Sequence, residues 1–129
     1  MDPGSVSNAE SKVIGDLACF AEYTSGATGA IPTALTRSAG FSSIARTGTG
    51  VVVFTLAGGP PVAILQVTTT TELATPGTTA GGSVITSVAS ASAGTITVTF
   101  RRQSDWAATD TTTSDIVRLS CRVQYKQPA

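Results

Sequence analysis

The chain has 129 residues, eight Lys plus Arg against eight Asp plus Glu, no histidine and two cysteines. Its zero net charge argues against a general nucleic-acid binder, which carries a basic excess. The lack of histidine removes the usual general base and the commonest metal ligand, so no Ser-His or Cys-His pair and no cofactor is expected. Charged residues are only 12% of the chain, and Thr, Ser and Gly are abundant, the composition of many short strands joined by small-residue turns. The length suits one domain that buries roughly two thirds of its unfolded surface. No apolar run approaches the ~20 residues of a membrane span. So neutral a protein resists association poorly and suits a place in an assembly.

Residues 1–12, MDPGSVSNAESK, are small and polar with an early Asp2-Pro3-Gly4 turn. They read as a flexible arm or docking tail, with Asp2, Ser5 and Val6 among its contact residues and a weak helical turn over Ser7 to Lys12. With no apolar core the segment is no signal peptide, so the expected setting is a cytoplasm. Residues 13–129 read as the single folded domain. Its first strand lies within Val13 to Tyr23, with Leu17, Cys19, Ala21 and Tyr23 on one face. Residues 25–40, broken by Pro32, read as a long loop or an extended edge segment.

Phe41 to Leu56 is the clearest hairpin. A Thr-Gly-Thr-Gly corner at 47–50 supplies glycines that take positive φ at no steric cost. The β-branched run from Val51 follows. Its two faces, Val51, Val53 and Thr55 against Val52, Phe54 and Leu56, are both largely apolar, which predicts a central strand covered on both sides. Gly58-Gly59-Pro60-Pro61 ends it in a turn. Val62 to Leu73 resumes extended structure, the threonines at 68–71 forming a polar face. Residues 75–82 make a second long loop. Ser83 to Ala89 and Thr95 to Arg102 form the next hairpin, with Ile96, Val98 and Phe100 facing in and Arg101 facing out. A polar loop from Gln103 to Ser114 holds Trp106, the single tryptophan. In the last strand Val117, Leu119, Cys121, Val123 and Tyr125 face the core. Arg118, Arg122 and Lys126 face away. Seven or eight strands without an amphipathic helix predict an all-β sandwich, jelly-roll or immunoglobulin-like, with no internal repeat.

Few residues could carry chemistry. Asp105 and Asp110 flank Trp106, and paired carboxylates beside an aromatic suit sugar binding or glycoside hydrolysis; the plainer reading is a solvated loop with an anchored tryptophan. The spacing Asp105, Asp110, Asp115 is not that of a calcium loop. Thr47 to Gly50 lacks the Lys-Ser/Thr ending of a phosphate loop and precedes a strand. Cys19 and Cys121 each fall among apolar neighbours and read as buried free thiols. The row Arg118, Arg122 and Lys126, with Arg101 as a neighbour, reads either as an electrostatic docking face or as a solvated face kept soluble by charge.

The segment Ile44-Ala45-Arg46-Thr47-Gly48-Thr49-Gly50-Val51, the later Gly94 to Val98 and the terminal Asp115 to Leu119 together resemble a pattern of small tailed-bacteriophage virion proteins. The resemblance covers residues 41–125 and leaves 1–40 unmatched. It implies a head decoration or cement protein on the major capsid protein, trimeric, with no catalytic residues to transfer, located on the capsid surface and assembled in the host cytoplasm. A fibre or tail-tip module binding a host receptor or glycan is the alternative. A small hydrolase is nearly excluded by the missing histidine.

Overall fold

The computed structural model describes residues 16–27, 30–31, 35–74, 84–102, 105–111 and 114–125. Asp2, Ser5, Val6 and Lys126, the helical turn over 7–12 and the loop at 75–82 lie outside the described residues. Eight strands follow in chain order: β1 (Asp16–Thr24), β2 (Arg37–Ala39), β3 (Phe41–Gly48), β4 (Val51–Leu56), β5 (Ala63–Glu72), β6 (Val84–Ser90), β7 (Thr95–Arg101) and β8 (Ile116–Gln124). They form two four-stranded sheets, β2-β1-β8-β5 and β3-β4-β7-β6, antiparallel throughout. The chain is an all-β sandwich.

The neighbour order settles its type. An immunoglobulin constant-type domain has strands A-B-E-D in one sheet and C-F-G in the other. Here β3, β4, β7 and β6 stand in the places of A, B, E and D, and β5 and β8 in those of C and F. β1 then takes the place of G. The N-terminal strand thus fills the slot of the last strand, and β2 is an added three-residue edge.

Alternation builds the core. β7 and β8 bury every second residue: Ile96, Val98 and Phe100 from one, Val117, Leu119, Cys121 and Val123 from the other. Tyr23 from one sheet and Phe54 from the other meet with ring centroids 6.1 Å apart, and Phe41 packs edge-on against Phe54 at 6.0 Å. Each such fully buried large side chain contributes roughly 2 kcal/mol.

Several expectations need correction. β4 is central in its sheet but covered on one side: Val52, Phe54 and Leu56 are buried, while Val51, Val53 and Thr55 are half-buried on the outer face. A sandwich covers one face of each sheet, and β-branched residues satisfy strand propensity on the other without needing a core. Leu17 shares the inward side with Cys19 but sits at the mouth of the sandwich and is exposed. The run of four threonines is no single polar face. Thr68 and Thr70 point out, whereas Thr69 and Thr71 bury their hydroxyls with no hydrogen-bond partner among the described residues. A bulge between Leu65 and Thr68, with Gln66 at φ 52°, sets that phase. The outward rows of β7 and β8 lie in different sheets, so Arg101 and Arg118 point to opposite sides of the molecule.

Three glycines separate the causes of glycine selection. Gly50 has φ 69°, and a Cβ there would lie 2.6 Å from Thr109 O and 2.7 Å from Thr109 N. Gly59 has φ 78° with open space around it, and Gly48 has open space and an ordinary strand backbone. In urea unfolding, Gly50→Ala should cost about 3 kcal/mol or more, Gly59→Ala about 1 kcal/mol, and Gly48→Ala nothing, because strain and clash add only at Gly50.

Candidate functional site

The chain crosses from β7 to β8 through residues 102–115, and this crossover carries the exposed tryptophan. Asp110 fixes it. Its carboxylate accepts from Arg46 Nε at 3.1 Å and Arg46 Nη2 at 3.0 Å, a two-pronged pair, and from the Gly50 N–H at 2.7 Å. Arg46 therefore holds the Asp110 carboxyl below the usual range, with the Gly50 N–H adding to the effect. The neighbouring backbone closes the same junction: Phe100 N–H donates to Gly50 O at 2.8 Å, and Thr109 N–H to Phe100 O at 2.9 Å. Further along, Ser25 and Thr111 share a buried hydroxyl contact of 2.6 Å, and Ser114 N–H donates to Ser25 O at 2.8 Å. The buried Asp115 accepts from the Ala74 N–H at 3.0 Å.

Trp106 stands at the tip. Its backbone is left-handed, φ 61°, and the residue is 58% exposed. A non-glycine residue rarely holds that conformation without surrounding bonds to fix it. Here Trp106 N–H donates to Arg102 O and Arg102 N–H to Ala107 O, both 2.9 Å. Arg101 Nη1 donates to Trp106 O at 3.0 Å, and Asp105 accepts from the Ala107 N–H and from Arg102. These bonds fix the backbone that carries the ring. Asp105 and Asp110, the two acids expected to flank it, are both engaged within the loop and its hairpin.

A second candidate lies on the outer face of the β2-β1-β8-β5 sheet. Glu22, opposite Arg118 in the β1–β8 register, is 9% exposed. Its Oε1 accepts from Arg37 Nη2 at 2.9 Å and from Arg118 Nε at 2.8 Å, and Arg118 Nη1 reaches Glu72 Oε2 at 2.7 Å. Two guanidiniums and two carboxylates cancel, so this stretch is not a positive patch. The paired arginines hold Glu22 below its ordinary pKa, Arg37 first and Arg118 second. Beside the network a concavity of about 310 Å³ is lined by Phe20, Arg37, Thr68, Thr70, Arg118 and Ser120. Phe20, on an outward row, is a little under half exposed.

Cys19 and Cys121 sit directly opposite one another on β1 and β8, both buried and unlinked. Burial pushes both thiols up, Cys121 to about 11, with its neighbour Cys19 adding to the shift. They behave as small apolar side chains.

The residues singled out in the sequence do not form one patch. Arg118 and Arg122 share the outer face of β8, Arg101 lies on the other sheet, and Trp106 lies at the end where β8 begins. The Arg46–Asp110 clip and the Arg37–Glu22 pair were not foreseen. The Arg37–Glu22 pair is set by the β1–β2 register, and the Arg46–Asp110 clip joins a strand to a crossover, so both need the strand order to be seen. Among the described residues, no three His, Cys, Asp or Glu side chains gather as metal ligands. What the two sites offer a partner is fixed aromatic surface, hydroxyls and ion-paired guanidiniums. The fold that carries them is a two-sheet β-sandwich. No protein-family model, curated protein or solved structure matches the chain.

Asp110 has a depressed carboxyl pKa in the fold, so its contribution to stability is in place above the ordinary carboxylate value of about 4 and is lost as pH falls through the depressed value. Asp110→Ala should cost about 2 kcal/mol at pH 7 in urea unfolding, since it strands the Gly50 N–H and the Arg46 guanidinium. The difference from the parent should shrink steadily as pH is lowered from 4 to 2. The cysteine thiols should react with a maleimide at pH 8 about a hundredfold more slowly in the folded protein than in denaturant. Equal rates would show that the β1–β8 pair opens freely.

Proposed function

We propose that the chain is a structural docking module of a tailed-phage particle, a decoration or cement protein that binds the major capsid protein on the outer surface of the head. Trp106 carries this reading. A tryptophan held rigidly in a left-handed turn and left largely exposed has the character of an interface anchor, because aromatic anchors with little rotamer entropy to lose dominate binding energy. The placement of the other apolar surface adds to it. The antiparallel register puts Asp16, where β1 begins, opposite Gln124, and Val62 N–H donates to Gln124 O at 2.6 Å. The exposed Leu17 and Val62 are at that end, and Trp106 is at the other. A nine-residue strand separates the ends by about 30 Å.

A shell under internal DNA pressure is weakest where capsomers meet. A module with apolar contacts at both ends can bridge such a junction and add buried area there. On this reading the small, polar residues 1–12, which precede β1 in the sequence, add to the contact with the shell. The resemblance implies a trimer on the particle. Because Arg118 is matched by Glu22 and Glu72, affinity on this reading rests on apolar contact more than on charge, and salt has a small effect.

The concavity beside Phe20 favours a second reading, a fibre or tail-tip module for a host receptor or glycan. An aromatic ring next to hydroxyls and guanidiniums is the right furniture for a sugar. The two separate in one experiment. Heads assembled without this protein are mixed with the parent, Trp106→Ala, Phe20→Ala and a chain lacking residues 1–12, and bound copies are counted after sedimentation. Trp106→Ala should bind at least tenfold more weakly while unfolding at the parent's midpoint, and truncation should weaken binding further. Parent that ignores heads but binds host cells, with binding lost in Phe20→Ala, would establish the fibre reading instead.

A further inference from the structure

A sandwich of two open sheets has four edge strands, and an exposed edge is a template for another strand unless something blunts it. Here the edges are β2, β5, β3 and β6. Three are blunted. β2 is three residues long and carries Arg37. β5 is broken by the bulge at Gln66 and ends in Glu72. β3 has two register irregularities and carries Arg46.

β6, Val84–Ser90, has none of these devices. Its sequence VITSVAS holds no charge and no proline, and its register with β7 runs unbroken from Val84 opposite Arg101 to Ser90 opposite Thr95. Thr86, Ser87, Val88 and Ala89 are all exposed, Val88 at 68%. Ser87 and Ala89 face the inward side, opposite the fully buried Val98 and Ile96, yet stay exposed. Among the described residues no strand pairs with the outer edge of β6.

We infer that β6 is a self-association edge: β6 of one copy pairs antiparallel with β6 of a second copy, joining two four-stranded sheets into one of eight. The occupant must be a strand, because what the edge offers is a row of backbone donors and acceptors. Three considerations make it a second β6. The remaining edges of the same chain are blunted, so a head-to-tail pairing has no complementary edge to use. The strand is compatible with itself under a two-fold axis. With the axis at Ser87, Thr86 meets Val88 of the partner, Ile85 meets Ala89, and no like charges face each other. The outer face that would continue across the junction is also uncharged there, with Thr86 and Val88 beside Thr99 and Thr97.

A seven-residue strand pair buries less than a standard interface, so the association is weak and concentration-dependent. This inference is independent of the particle reading: it holds or fails in free solution, and it predicts a pair where the resemblance implies a trimer.

The experiment uses the full chain and two charge variants at the exposed Val88. Val88→Lys and Val88→Glu each place two like charges diagonally across the axis, where a mixture of the two places opposite charges. Sedimentation equilibrium from ~1 μM to ~1 mM should show the parent passing from monomer to dimer. Each variant alone should shift that transition at least tenfold upward in concentration, and an equimolar mixture should restore it. Hydrogen exchange in the parent should slow in β6 as concentration rises, with β2 and β3 unaffected. Far-UV circular dichroism and urea midpoints matching the parent show that the variants remain folded. A parent that stays monomeric to 1 mM would overturn the inference. So would a dimer or trimer that both variants form as readily as the parent, or one whose exchange protection falls on another edge.

Discussion

The contact between Asp110 and the Gly50 corner is the constraint on which the presented surface depends. Gly50 brings the β3–β4 turn so close to the β7–β8 crossover that no Cβ fits between them. That approach puts the Gly50 N–H 2.7 Å from the Asp110 carboxylate, and Arg46, at the end of β3, closes over the same group. A buried backbone N–H left without an acceptor costs about as much as a lost charge-assisted hydrogen bond. Hairpin and crossover therefore stand or fall together. Trp106 lies four residues from Asp110, and its left-handed backbone is held from the other side by Arg101 and Arg102. The exposed ring is the product of constraints that lie on two different strands and a turn.

Much of the fold is legible in the sequence where alternation is strict. β7 and β8 read correctly residue by residue, because Ile96, Val98 and Phe100, or Val117, Leu119 and Cys121, could face only one way. The hairpins are legible because their turns need glycine at Gly50 and Gly94, both with φ 69°. What alternation cannot encode is the neighbour. The position of β1 beside β8 brings Cys19 to Cys121 and Glu22 to Arg118, partners 102 and 96 positions apart. Composition gives no sign of it. For the same reason the outward rows of β7 and β8 read as one basic surface, although they belong to opposite sheets. The bulge at Gln66 is also silent: a positive φ at glutamine has no local residue signature, and it decides which threonines of 68–71 meet the core.

The outer face of the β2-β1-β8-β5 sheet shows how charge can be used without creating a charged surface. Glu22 is nearly enclosed, and a carboxylate in that position is tolerable only when it is paired and hydrogen-bonded. Two guanidiniums from two different strands supply both, and Glu72 takes up the remaining reach of Arg118. The result ties β2, β1, β8 and β5 together across the outer face of the sheet. Exposed ion pairs contribute little singly. Their value here is in register: a slip of one residue between β1 and β8 would turn Glu22 or Arg118 toward the core.

The permuted strand order has a consequence for how the molecule can be used. In an immunoglobulin domain the chain ends lie at opposite ends of the sandwich, because A enters at one end and G leaves at the other. With β1 in the place of G, antiparallel to β8, the first described strand starts where the last one finishes, Asp16 opposite Gln124. Chain on either side of the described sandwich therefore departs from a single end, the one that also exposes Leu17 and Val62. The opposite end is left to the hairpin corner and the Trp106 loop, which are joined at Gly50 and Asp110. The uncharged β6 edge runs the length between the two ends. A partner engaged at both ends would leave that edge accessible along its side, so pairing through β6 and docking through the ends are geometrically compatible on one molecule.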